Sequence, residues 1–156
     1  MIAGCRTSGT FRAGVFEGHT VKYEIDEPGN GWQKDNLRDA DLAWIYHDGE
    51  ASILVNSRCV GTKDVSLEAL TGQLFIGMTD QQQISMQKDQ RSGREALETV
   101  TNLKIDGVPM VMKSYVLKKD LCVYDIILAA DPQAFEAAQV GYETVKAKFD
   151  VQEREQ

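Results

Sequence analysis

The most continuously apolar stretch of the chain runs from Leu121 to Ala130. Cys122, Tyr124, Ile126 and Leu128 mark one face of it. Val123 and Ile127 mark the other, with Asp125 between them. A strand with one wet face alternates apolar with polar residues, so apolar residues on both faces predict a central strand covered above and below. Asp125 is the exception, and reads as a structural carboxylate satisfied by a partner, since buried charges are ordinarily paired. A helix is predicted next. Asp131 supplies an N-cap acceptor, and Pro132 at the first helical position loses no hydrogen bond. Phe135, Ala138, Tyr142, Val145 and Phe149 then recur at spacings of three and four, one apolar stripe on a helix. Gly141 interrupts it at a cost of roughly 1 kcal/mol relative to Ala, unless close packing needs it.

The earlier residues give shorter signals. Thr10 to Phe16 predicts a strand, and Thr20 to Ile25 alternates with Val21, Tyr23 and Ile25 inward. Glu27-Pro28-Gly29-Asn30-Gly31 breaks the pattern. Trp32 follows, its ring expected over the sheet, and residues 33–40 read as a loop or one helical turn. Asp48-Gly49 separates two apolar runs, and Asp106-Gly107 separates Arg94 to Ile105 from Val108 to Lys118. Asp-Gly tolerates positive φ, so each pair predicts a hairpin. Between the hairpins, Leu67, Leu70, Leu74, Phe75 and Met78 share one helical face, capped by Asp64 or Ser66. Residues 81–93 are polar and predict at most a short edge strand around Ile84 to Met86.

Consecutive hairpins make an antiparallel sheet, and two amphipathic helices must bury their stripes on it. The expected class is therefore α+β: an antiparallel sheet with helices packed on both faces, an α/β/α sandwich. It would fill residues 11–150, after a tether of residues 1–10 and before a frayed tail of residues 151–156. The order of elements, with Pro28 to Trp32 after an early strand and the Phe135 to Phe149 stripe closing the chain, resembles the PsbP-like fold. That family includes extrinsic photosystem II proteins and a Ran-binding import factor. The resemblance implies an accessory binding role rather than an enzymatic one.

Composition narrows the functional classes. A chain of 156 residues, 42% hydrophobic, buries roughly 68–70% of its unfolded surface and needs no metal to hold a core. A net charge of −7 without clustered Lys and Arg argues against nucleic acid as a partner. No apolar run of about 18 residues is long enough for a spanning helix.

Ile2-Ala3-Gly4-Cys5 resembles a bacterial lipobox, in which the cysteine is acylated, and polar residues follow it like a tether. Charged and apolar signal regions should precede such a box, and here only Met1 does. The expectation is a longer reading frame or a trimmed start, with Cys5 lipidated and the domain on the periplasmic side of a bacterial membrane; the alternative is an unstructured start with a chance cysteine. Cys59 and Cys122 remain as a pair. In an oxidising periplasm they form a disulfide; the alternative is two separate buried thiols.

Candidate chemistry is sparse. His19 follows a turn glycine and His47 precedes Asp48-Gly49, so both read as exposed loop-edge residues. Asp39 and Asp41 offer carboxylates to a divalent cation, although solvent-facing carboxylates fit the position better. Lys88, Arg91 and Arg94 surround Ser92-Gly93 as an anion site or a solvated turn. No nucleophile-elbow, zincin, P-loop or dinucleotide pattern occurs. The resulting expectation is a non-catalytic, lipid-anchored envelope protein with no cofactor and no metal. Its protein partner would meet loops 27–40 and 79–94, with Trp32, Arg91 and Arg94 in the contact surface. The competing readings are a small ligand carrier or enzyme with a pocket between sheet and helix, and a soluble cytoplasmic interaction module.

Overall fold

A computed structural model describes residues 9–37, 39–59 and 65–153. Cys5 and Asp64, named above as lipidation site and helix cap, lie outside the described residues. In chain order the elements are β1 (Thr10–Arg12), β2 (Val15–Glu17), β3 (Lys22–Glu24), β4 (Trp32–Asp35), β5 (Leu42–Tyr46), β6 (Ala51–Arg58), α1 (Leu67–Gln73), β7 (Thr79–Arg91), β8 (Arg94–Ile105), β9 (Val108–Lys119), β10 (Cys122–Ala130), α2 (Phe135–Lys148) and β11 (Asp150–Val151).

The main sheet is antiparallel and seven-stranded, in the order β4-β5-β6-β10-β9-β8-β7. Its middle strand is β10, the one whose two apolar faces required cover. Alternate residues of β10 feed different apolar clusters. Tyr124, Ile126 and Leu128 pack with Ala138, Tyr142 and Val145 of α2. Val123 packs with Leu67 and Leu70 of α1, and Ile127 with Phe75 just beyond it. The helical stripes formed because each places its apolar residues on one side at three- and four-residue spacing.

Several expectations are corrected. The early strands do not extend the main sheet: β1, β2 and β3 form a separate four-stranded sheet with β11. Phe16 and Tyr23 from it, with Val21 and Ile25 flanking β3, join the α2 cluster. Strands of three residues are too short to declare their sheet by period. Val151, placed in a frayed tail by its polar neighbours, pairs with Tyr23 and is buried. Residues 32–35 are an edge strand, not a loop, and the polar stretch after Met78 is a strand of 13 residues. The Asp48-Gly49 turn opens to a four-residue connection, because Tyr46 pairs with Ala51. Asp106-Gly107 does make a two-residue hairpin, with Ile105 opposite Val108 and both turn residues at positive φ.

Helix ends also differ from the pattern. Ser66 caps α1 by accepting from the Ala69 amide at 3.0 Å. Asp131 does not cap α2 itself. Its carboxylate accepts from the Gln133 amide in a preceding turn, and the helix proper begins at Phe135. Gly141 is explained by packing. A Cβ there would meet the Trp32 ring at 2.8 Å and Pro28 at 3.0 Å, so α2 approaches the edge of β4 closely only with glycine.

Candidate functional site

A dense polar cluster lies beneath α2, where the helix crosses β8 and β9. Lys146 and Glu143 lie off the apolar stripe on the side facing the sheet. Lys146 Nζ donates to Glu98 at 2.7 Å and contacts Glu143 at 3.0 Å. Lys113 of β9 donates to Glu143 at 2.7 Å and to the Gln139 side chain at 3.2 Å. The Tyr142 hydroxyl donates to Glu98 at 2.9 Å. One strand over, the Tyr115 hydroxyl donates to Asp89 at 2.7 Å, and Arg91 lies 3.7 Å from the same carboxylate. Three cations and three carboxylates thus meet in one seam.

The electrostatics favour the charged forms of Glu143, Lys146 and Asp89. Burial pushes the Glu143 carboxyl up, but Lys113 and Lys146 outweigh it and hold the group below its ordinary range. Burial likewise opposes the Lys146 charge, and Glu98 with Glu143 more than restores it. The Tyr115 hydrogen bond holds Asp89 low. Burial, reinforced by Glu98, raises the Tyr142 hydroxyl well above the usual phenol range. A balanced, mutually satisfied cluster of this kind anchors a helix. Its members are committed to each other.

Arg91 belongs to the same anchor. Its guanidinium donates to the carbonyls of Lys146 at 2.5 Å and Phe149 at 2.9 Å, where the last turn of α2 leaves acceptors free. Ser92 donates to Asp150 at 2.6 Å and accepts from the Val151 amide at 2.9 Å. Lys119 donates to the Ser92 carbonyl at 2.9 Å. The Ser92-Gly93 turn is therefore a clasp on the helix end and β11. Arg91 and the half-buried Trp32, expected at a partner surface, are both engaged within the fold. Arg94 is exposed and donates to the Gly93 carbonyl at 3.2 Å.

Asp39 and Asp41 take different roles. Asp41 accepts from the Tyr23 hydroxyl at 3.0 Å and from Ser57 at 2.5 Å, tying the small sheet to the main one, while Asp39 stays exposed. Among the described residues no group of three or more His, Cys, Asp or Glu is arranged to hold a metal. His19 and His47 are exposed, the latter against the Tyr46 ring. Asp125 accepts a hydrogen bond from Asn56 on the facing strand at 2.9 Å. Burial raises its pKa to about 6, against the opposing pull of Asn56 and Arg58. An open cleft of about 300 Å³ lies by the small sheet and is lined in part by Glu24, Asp26 and Lys148. It does not lie between the main sheet and a helix, where a ligand pocket was considered.

Cys59 follows β6 and Cys122 opens β10, one position beyond the Arg58–Val123 pair. Their sulfurs are bonded at 1.96 Å, with the Thr20 hydroxyl 3.5 Å from Cys59. No helix among the described residues is long and apolar enough to cross a membrane.

The seam residues Glu98, Lys113, Glu143 and Lys146 were not singled out by sequence. Only Glu143 and Lys146 share a local signal, the three-residue spacing on one helix; their strand partners lie 30 to 48 residues away.

No protein-family model matches the chain, and no curated protein matches it in sequence. Solved structures do resemble it. The cyanobacterial PsbP protein CyanoP of Synechocystis sp. PCC 6803 aligns with a TM-score of 0.58 at 13% identity, over 85% of this chain and 93% of that one. LpqN of Mycobacterium tuberculosis, described as involved in cell envelope biogenesis, aligns with a TM-score of 0.61 at 12% identity, over 84% of each chain. The fold is PsbP-like.

Proposed function

We propose that this chain is a non-catalytic protein of the bacterial cell envelope, anchored through an acylated Cys5, that serves as an accessory or scaffold for a protein partner. The observation that carries the reading is the bond between Cys59 and Cys122. Structural disulfides form and persist in oxidising compartments such as the periplasm, and are rare where thiols are kept reduced. The shared fold with LpqN supports the same compartment. The polar seam supports a non-catalytic role, because its charged groups hold α2 in place.

In this reading one helix covers each face of the main sheet, giving three layers. Surface for a partner then remains at the hairpin tips and the sheet edges, where Leu37, Ile84, Met86 and Val108 are exposed. Acylation suits such a role. Each buried acyl carbon contributes ~0.8 kcal/mol, so two or more chains fix a domain to a membrane without a spanning helix.

The test is to express the gene with its own upstream sequence, fractionate the cells and measure the intact mass. The expected result is a membrane-bound form whose first residue is a lipid-modified Cys5, with Cys5→Ser shifting the protein to the soluble fraction. A native protein that keeps residues ahead of an unmodified Cys5 refutes the anchor.

A further inference from the structure

The main sheet has two edges of unequal length. At one, β4 spans four residues; at the other, β7 spans 13, or roughly 40 Å of strand. Every residue of β7 except Arg91 is exposed. Long open edges are templates for another strand, and proteins usually blunt them with bulges, charges or Pro. In β7 the register shifts are confined to its first half, between Thr79 and Gln82 and between Gln83 and Ser85. From Ser85 to Arg91 the pairing with β8 is unbroken, and the strand contains no Pro. Counting back from the tight turn at Ser92-Gly93, the backbone groups of Met86, Lys88 and Gln90 point away from β8 and present a regular row of donors and acceptors.

Charge favours a particular occupant. The chain carries −7 overall, yet residues 79–105 hold four basic and four acidic side chains. A second copy, acidic overall, meets no net like charge along this neutral hairpin. We infer that β7 pairs antiparallel with β7 of a second copy across a two-fold axis, joining two seven-stranded sheets edge to edge. The outward backbone groups at even positions allow a register with Gln87 opposite Gln87. It puts Met86 opposite Lys88 of the second copy and Ser85 opposite Asp89 of the second copy. No like charges face each other, and the exposed Met86 gains the Lys88 stem as cover. The inference does not depend on the envelope anchor; it assigns the β7 edge, with Ile84 and Met86, to a second copy and leaves Leu37 and Val108 as surface for another partner.

The experiment is analytical ultracentrifugation of the chain from about 1 µM to about 1 mM, with Met86→Glu and Met86→Lys alongside. Both substitutions are at an exposed site, and circular dichroism checks that each variant keeps its fold. The expected result is a concentration-dependent dimer. Met86→Glu, facing Lys88 twice across the axis, should tighten it by roughly two- to thirtyfold, and Met86→Lys should weaken it comparably. A chain that stays monomeric throughout overturns the proposal. So does a dimer whose affinity ignores the sign of the charge at position 86.

Discussion

Asp125 shows what one residue costs a sheet that is otherwise apolar. It stands between Val123 and Ile127, accepts a hydrogen bond from Asn56, and burial lifts its pKa from 3.8 to about 6. A carboxyl that holds its proton more tightly when folded favours the native state below its ordinary pKa. That contribution is lost as pH rises through the folded value near 6. The ionised form then costs about 2 kcal/mol, after discounting for its partial exposure. Asp125→Asn keeps an acceptor for Asn56 and removes the charge. It should stabilise the protein by about 2 kcal/mol near pH 7.5 and by almost nothing near pH 4, measured by chemical denaturation at both values. The sequence placed Asp125 in a buried strand. The facing Asn56, 69 residues away, was not readable.

At the scale of elements, legibility followed burial. The α2 stripe could be read because Ala138, Tyr142 and Val145 are wholly buried against one surface. The central place of β10 could be read because both its faces are covered. By contrast, β7 is exposed on both faces, and polar residues on both sides erase the two-residue period that marks a strand. Its existence depends on pairing with β8, which no local pattern states. Trp32 and Gly141 form the clearest long-range contact that the sequence left open. By helix propensity alone, Gly141→Ala gains roughly 1 kcal/mol. Here the added methyl meets the Trp32 ring and Pro28, so the substitution should instead destabilise by about 1–3 kcal/mol through overpacking. A thermal melt of the variant decides the sign, and a change in Trp fluorescence would locate the disturbance.

For the whole molecule, the decisive bond is Cys59 to Cys122, closing a separation of 63 residues at the junction of β6 and β10. Loop-entropy arguments give it about 4 kcal/mol, an upper figure in practice. Cys59→Ser with Cys122→Ser should therefore lower stability by about 2–4 kcal/mol. The oxidised chain should lose a comparable amount on reduction, while the double variant is indifferent to reductant. Equal denaturation midpoints for the oxidised chain with and without reductant would rule out a stabilising role.

The middle of the sheet is made from one of the last strands in the chain. β4, β5 and β6 form one block and β7, β8 and β9 another, and only β10 is hydrogen-bonded to both. On a ribosome the two blocks emerge first and stay unjoined until residues 122–130 appear. The edge of β6 that β10 will occupy waits unpaired through synthesis of about 65 further residues, a few seconds at typical elongation rates. A nascent chain halted before Cys122 thus carries two partial sheets with open seams, a ready client for chaperones or proteases. Emergence of β10 is what joins the two blocks into one sheet.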